Sequence, residues 1–290
     1  MINRTLICCA ILLLPNLVQA QNQGVHSGYI EAGSLEFNWR EFAYNDDPFD
    51  DDEENEIKTV VVDEDGSLGS LAVGYSYYRD DRLFSIEISQ NQGKVDYYGR
   101  IPLAGDRNDY WEHLTTDYTI YSLEATFGHY FDVDYVTPFA AIIGGYSARE
   151  RTINGMSQSV TPSGSLIDIE TINEDMSYYY WAALLDIEVF SWNNFSANIG
   201  AKYRRSVKNK QKFVENNVTA DLEPLVATEI LASISYEFLP SWEASLRYKT
   251  INSKMEQNYP TSVPDSIEGI VQPRSEEDHS YLALRLQKSF

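Results

Sequence analysis

The last ten residues, Tyr281 to Phe290, read Y-L-A-L-R-L-Q-K-S-F. Leu282, Leu284, Leu286 and Phe290 fall on one face of an extended chain. Tyr281, Ala283, Arg285, Gln287 and Ser289 fall on the other. A side-chain period of two makes this a strand with one apolar face and one face that carries a charge.

The same alternation recurs upstream over about 29–44, 69–79, 82–97, 116–131, 135–149, 177–190, 195–206, 227–238 and 242–253. In the first of these, Leu35, Phe37 and Trp39 oppose Ser34, Glu36, Asn38 and Arg40. In 116–131, Tyr121, Leu123, Ala125 and Phe127 oppose Ser122, Glu124 and Thr126. In 135–149 the phase is ambiguous, because Ile142 and Ile143 are both apolar. The connections alternate in length. Asp80-Asp81, 132–134, 191–194 and 239–241 are short polar turns of hairpin length. The stretches 45–68, 98–115, 150–176, 207–226 and 254–280 read as long loops.

Aromatic residues cluster at the short-turn ends: Phe131, Tyr135, Phe190, Trp192, Phe195, Phe238, Trp242 and Phe290. A second set, Trp39, Tyr121, Tyr179, Tyr203 and Tyr248, lies about ten residues along the strands, near the ~9–11 residues of a tilted membrane-crossing strand. Aromatic rings favour the two levels at which lipid meets water. The pattern predicts an all-β fold: an antiparallel up-and-down transmembrane β-barrel of ten strands, with an even count placing both termini on the short-turn side.

Composition agrees. A positive start (1–4), an apolar run (6–14) and the small-residue site Val18-Gln19-Ala20 predict a signal peptide over 1–20, with the barrel over 21–290. Cys8 and Cys9 lie in that leader, so the mature chain would hold no disulfide. The net charge is −22, and loss of Arg4 takes it to −23, which argues against nucleic acid as a partner. Past residue 20 no apolar run approaches the ~18 residues of a spanning helix. A mean hydropathy of −0.36 still suits a barrel, whose strands alternate.

A chain that closes on a strand with a final phenylalanine resembles bacterial outer-membrane barrels. That resemblance implies location in the outer membrane, contact with its lipid and lipopolysaccharide, and recognition of Phe290 by the barrel assembly machinery. Ten strands of this size also resemble the architecture of the omptin surface proteases, whose loops set an aspartate pair against an aspartate–histidine pair. Asp106, Asp109 and His113 can supply one side of such a site. No Asp-x-His answers them: 207–226 has Asp221 but no histidine. The omptin catalytic motifs are therefore absent. His129 falls on the outward phase near the short-turn girdle, where a structural role is expected.

The lumen-facing phase predicts a network of Glu36, Arg40, Glu87, Glu124, Asp186, Glu188, Lys202, Arg204, Glu229, Arg247, Lys249 and Arg285. The turn at 191–194 sets Asp186 and Glu188 near Lys202, which predicts a cross-strand ion pair. A small barrel is just wide enough for its own side chains, so these charges are expected to plug it. The first long loop is rich in acids from Asp46 to Asp65. Hard divalent cations would find oxygen ligands there, but no spacing matches a calcium loop, and a solvated acidic tip is the simpler reading. No cofactor or metal centre is indicated. The expected function is that of a non-enzymatic outer-membrane barrel with acidic surface loops, either an adhesin-like or structural surface protein or a narrow channel. The alternative is an omptin-like protease or another barrel hydrolase with its site in the loops.

Overall fold

The computed structural model describes residues 24–43, 59–101, 110–133, 136–160, 166–213, 218–256 and 274–290. The strands are β1 (Val25–Ala43), β2 (Thr59–Arg79), β3 (Arg82–Ile101), β4 (Tyr110–Tyr130), β5 (Thr137–Val160), β6 (Leu166–Trp192), β7 (Phe195–Phe213), β8 (Val218–Leu222), β9 (Val226–Leu239), β10 (Trp242–Met255) and β11 (Arg274–Ser289). Apart from β8 and β9, which both pair with β7, each pairs antiparallel with its sequence neighbours. β11 returns to β1 from Ser27↔Ser289 up to Phe42↔Arg274, which closes the sheet.

β8 and β9 share one stave. β7 pairs with β9 over 195–205 and with β8 over 209–213. The Leu225 carbonyl and amide bridge the break to Ser206. The barrel therefore has ten staves. Closure matters energetically, since an unpaired backbone group in hydrocarbon costs several kcal/mol. At the β2–β3 turn, Asp80 and Asp81 take φ of 49° and 62°. Two successive positive values make the tight mirror-image turn whose twist suits a hairpin.

Between the two aromatic levels the outer face is apolar. Ile30, Ile88, Leu123, Phe127, Ile142, Leu185, Ile199, Ile234, Leu246 and Leu284 are exposed there, as lipid-facing side chains must be. Ile142 points out and Ile143 in, at 70% and 2% exposure, which settles the phase of β5. Phe131, Phe190, Trp192, Phe195, Phe238 and Phe290 mark one rim, and Tyr179, Tyr203 and Tyr248 the other. Tyr135 lies outside the described residues. Trp39 does not belong to the rim. It is 1% exposed and sits inside the barrel.

The strands run 14 to 27 residues, apart from β8, well beyond the ~9–11 needed to cross lipid. Much of what reads as long loop in the sequence is therefore ladder: 59–68 in β2, 150–160 in β5, 166–176 in β6, 207–213 in β7 and 274–280 in β11. These stretches stand above the membrane, where the outer face meets water. Polar residues then occupy both faces, and the alternation that marks a membrane strand disappears.

Candidate functional site

The inside of the barrel gathers many buried ionisable groups, and it is layered. At the short-turn end a vestibule of about 320 Å³ is lined by Asp186, Glu188, Glu243, Tyr130 and Asn198, among others. From membrane depth up to the level of Arg149 and Glu277 just above it comes a cavity of about 280 Å³. Six carboxylates line it (Glu31, Glu87, Glu124, Asp186, Glu229, Glu277), and six cations do so too (Arg149, Lys202, Arg204, Arg247, Lys249, Arg285). The formal charges cancel.

Two hubs arrange these charges. On one wall Glu31 accepts from Arg247 Nη1 at 2.7 Å, Arg285 Nε at 2.7 Å and the Tyr281 hydroxyl at 2.6 Å. Arg285 also donates to Glu87 at 3.1 Å and lies 3.6 Å over the Tyr29 ring. Tyr29 can lie there because Gly74 leaves the space, and a Cβ on Gly74 would enter the ring. On the facing wall Glu124 accepts from Lys202 Nζ at 2.7 Å and from Tyr180 at 2.6 Å. Lys202 and Arg204 both approach Glu229. A buried ion needs such partners, because its unpaired desolvation costs several kcal/mol.

Above the membrane the lumen turns dry. Leu35, Phe37, Trp39, Leu68, Tyr118 and Met255 form a buried layer. Phe37 packs on Tyr118 at 4.6 Å and on His279 at 4.7 Å. Arg149 crosses this layer 4.3 Å from the Trp39 ring. Its Nε and Nη1 make no hydrogen bond and have aromatic faces beside them instead, a contact worth roughly 0.5–2 kcal/mol. Its Nη2 donates to Glu277 at 2.8 Å. Glu277 also accepts from Ser253 at 3.1 Å and contacts His279 Nε2 at 3.0 Å. Burial alone would raise the Glu277 carboxyl, but Arg149 and the His279 hydrogen bond outweigh it and hold it well below the usual range. Higher still, Arg151 gathers Glu64 at 2.9 Å, Glu174 at 2.7 Å and Glu41 at 3.6 Å. Thr116 and Tyr118 hold Glu64 from β4.

Of the residues predicted for the lumen, Glu87, Glu124, Asp186, Lys202, Arg204, Glu229, Arg247, Lys249 and Arg285 line the central cavity, and Glu188 lines the vestibule. Glu36 and Arg40 are corrections. Both lie on the outward phase, and Arg40 pairs with Asp278 outside the wall at 2.7 Å. Above the membrane the lumen is the drier side, so β1 turns Phe37 and Trp39 in and its polar residues out. The Asp186/Glu188–Lys202 pair does not form. Register sets Lys202 opposite Leu184, and a bulge lies at Glu188/Phe190. Lys202 reaches across the lumen to Glu124, while Asp186 accepts from Asn198 at 3.2 Å.

Asp106 and Asp109 lie outside the described residues. His113 is on the outer surface, stacked on Tyr98 at 4.6 Å and 3.4 Å from Asp96. His129 packs edge-on against Phe131 at the short-turn rim. The sequence reading missed Glu31, Arg149, Arg151, Glu64 and the Glu277–His279 pair. Arg149-x-Arg151 and Glu277-x-His279 carry the spacing that puts two residues on one strand face, but both lie at or beyond the ends of the alternating segments.

No family model matches the sequence, and no curated protein does. Solved structures do. The outer membrane protease OmpT from Escherichia coli superposes with a TM-score of 0.64 at 9% identity, over 93% of this chain and 98% of that one. Neisserial surface protein A gives 0.32 at 11% identity, over 91% and 97%. The Pseudomonas putida toluene transporter TodX gives 0.35 at 8% identity, over 93% and 91%. At such identities the OmpT likeness speaks for fold alone. With its apolar outer belt, two aromatic rims and sheet closed by β1 and β11, this chain is a ten-stranded antiparallel β-barrel of the bacterial outer membrane.

Proposed function

We propose that this barrel is a non-enzymatic surface protein, closed to solutes, that acts through the strands and loops it raises above the membrane. One observation carries the reading: the lumen is filled at successive levels by paired charges, an aromatic layer and the Arg151 cluster. A pore needs a continuous wet path. Here Phe37, Trp39 and Tyr118, each about 1% exposed, stand across it. The six-to-six charge balance below them also supplies no net field to select an ion. Reconstituted into a planar bilayer, the protein should add no discrete conductance steps above baseline. A large, steady conductance would make it a channel.

A surface protease is the alternative. It has the Glu277–His279 contact in its favour. Against it, the Asn38 backbone N–H donates to His279 Nδ1 at 3.4 Å, which uses the lone pair a general base needs. The imidazole is also buried against Phe37, and Arg149 neutralises Glu277. The rigid, extended upper barrel therefore serves better as a platform for contact than as a cleft for chemistry.

A further inference from the structure

The six-to-six balance of the central cavity is a sum, and it does not hold locally. Glu31 and Glu87 are matched by Arg247 and Arg285, and Glu277 by Arg149. Asp186 is held by Asn198 at the vestibule end. What remains is Glu124 and Glu229 against three cations, Lys202, Arg204 and Lys249. Lys202 serves both carboxylates. Arg204 only approaches Glu229, with its Nε 3.8 Å away, buried and without a hydrogen bond. Lys249 has no ion pair or hydrogen bond among the described residues, and its Nζ lies 4.4 Å over the Tyr281 ring. Two cations on the cavity wall therefore lack a hydrogen-bonded acceptor, and a cation taken out of bulk water needs one.

Register brings these two together. Glu229 stands opposite Lys202 on β7 and Ile251 on β10. Arg204 is two residues from Lys202, and Lys249 two residues from Ile251, so the two cations flank Glu229 from the neighbouring staves. Arg204 directly follows Tyr203 and Lys249 directly follows Tyr248, and both tyrosines mark the upper rim. The two heads thus enter the lumen at about one height. The wall across from them is of another kind. β3 stands five staves from β9, and it lines the cavity with Ser89 and Asn91, with Ser122 opposite Ser89 on β4. These side chains are small, neutral and able both to donate and to accept. The cavity between the walls, about 280 Å³, is near the lower end of the ~300–1,000 Å³ of small-molecule sites. Below it, the vestibule shares Phe139, Asp186 and Asn198 with the cavity and adds Glu188 and Glu243. No cation stands among the described residues that line the vestibule.

We infer that the central cavity binds a small hydroxylated monocarboxylate, of the sugar-acid class, which enters from the short-turn end. Its carboxylate lies between Arg204 and Lys249, where a planar guanidinium and an ammonium offer charge-assisted hydrogen bonds. Its hydroxyls face Ser89, Asn91 and Ser122. The surplus of one positive charge calls for one negative charge on the ligand. The acidic vestibule sharpens that choice by repelling ligands that carry two or more. This site is separate from the surface contact of the proposed function, and it holds whether or not the lumen is shut above it.

The test uses the full mature barrel in uncharged detergent micelles, where conduction plays no part, and calorimetric titration in low-salt buffer. The probes are gluconate, glucose, acetate and inorganic phosphate. Glucose keeps the hydroxyls without the charge, and acetate keeps the charge without the hydroxyls. Gluconate should bind saturably and at least about tenfold more tightly than acetate or phosphate, and glucose should give no saturable heat. Arg204→Gln/Lys249→Gln removes the partners of the carboxylate, while Lys94→Gln removes a paired cation from the outer surface. A charge-assisted hydrogen bond carries roughly tenfold or more in affinity. The double variant should therefore bind gluconate at least about a hundredfold more weakly, and the outer variant should match the wild type. Asn91→Ala should weaken gluconate and leave acetate unchanged. The heat-dependent gel shift confirms that each variant is folded. If the double variant is not, Arg204→Lys takes its place, keeping the charge without the fork, and should lose about tenfold. Wild-type protein that takes up no gluconate would overturn the proposal, as would a folded cavity variant that binds it as tightly as the wild type. Glucose, acetate or phosphate held as tightly as gluconate would overturn it too, the last two by reducing the site to an unselective anion hole.

Discussion

Glu277 shows how one buried carboxylate ties the upper barrel together. Its two oxygens serve Arg149 from β5, Ser253 from β10 and His279 from its own strand, so three segments of wall depend on its charge. The folded state holds its carboxyl below the usual range. The folded protein therefore binds this proton less readily than the unfolded chain does. The stabilisation is complete above the ordinary glutamate value of ~4.3 and is lost as pH falls below it toward the folded value. Thermal unfolding between about pH 3 and 6 should show wild-type stability declining in the acid range, while Glu277→Gln starts lower and depends less on pH. Breaking a buried pair in this way costs roughly 3–5 kcal/mol near neutral pH. Parallel pH profiles for the two proteins would mean that Glu277 titrates alike in the folded and unfolded chain, so that Arg149 and His279 give its charge no net stabilisation. In sequence Glu277 is one acid within the run Glu276-Glu277-Asp278, and nothing local tells the inward member from the outward ones.

β1 holds both the legible and the illegible part of the fold within one element. At membrane depth Ile30 faces lipid and Glu31 the lumen, the reverse of the phase expected from Leu35, Phe37 and Trp39 opposite Glu36 and Arg40. Seven residues further on the sequence still alternates, but the environment has changed. Water bathes the outside, and the packed lumen is the dry side. An apolar residue follows dryness rather than a fixed face, so Phe37 and Trp39 turn in while Glu36 and Arg40 turn out. Because a strand carries no mark of where the membrane ends, its facing above that level could not be read from periodicity. The strand count, closure and, Trp39 apart, the rims were legible because lipid imposes them on every stave. The cross-lumen pairs were not, since Lys202 and Glu124 lie on staves whose spacing across the barrel no local pattern encodes. β1 supplies the test. Trp39→Ala should lower stability by about 3–5 kcal/mol by opening a cavity in the buried layer. Glu36→Ala, at an exposed outward site, should stay within about 0.5 kcal/mol. Unfolding in urea from detergent micelles compares them, and the reverse order would mean that β1 is out of phase by one residue.

For the molecule as a whole, the proposed function has the lumen shut above the membrane rather than within it. The staves at membrane depth are held by their ladders and by lipid, while the closure depends on a few side chains carried by the extensions. The two functions are therefore separable by mutation. Removing the closure should leave a folded barrel that leaks. Phe37→Ala and Trp39→Ala together empty the aromatic layer, and Arg151→Ala releases Glu41, Glu64 and Glu174 from their shared cation. The opened path would then run from the upper cluster through the cavity of about 280 Å³ to the acidic vestibule of about 320 Å³ at the other end. With Glu64 and Glu174 deprived of Arg151 at the top and Asp186, Glu188 and Glu243 at the bottom, the new path should prefer cations. The triple variant should keep the heat-dependent gel shift of a closed barrel and show small, cation-selective conductance steps in planar bilayers. The unaltered protein should show none. A variant that folds yet still insulates would place the barrier lower, in the Glu31 and Glu124 hubs, and Glu31→Ala would then be the change that opens it.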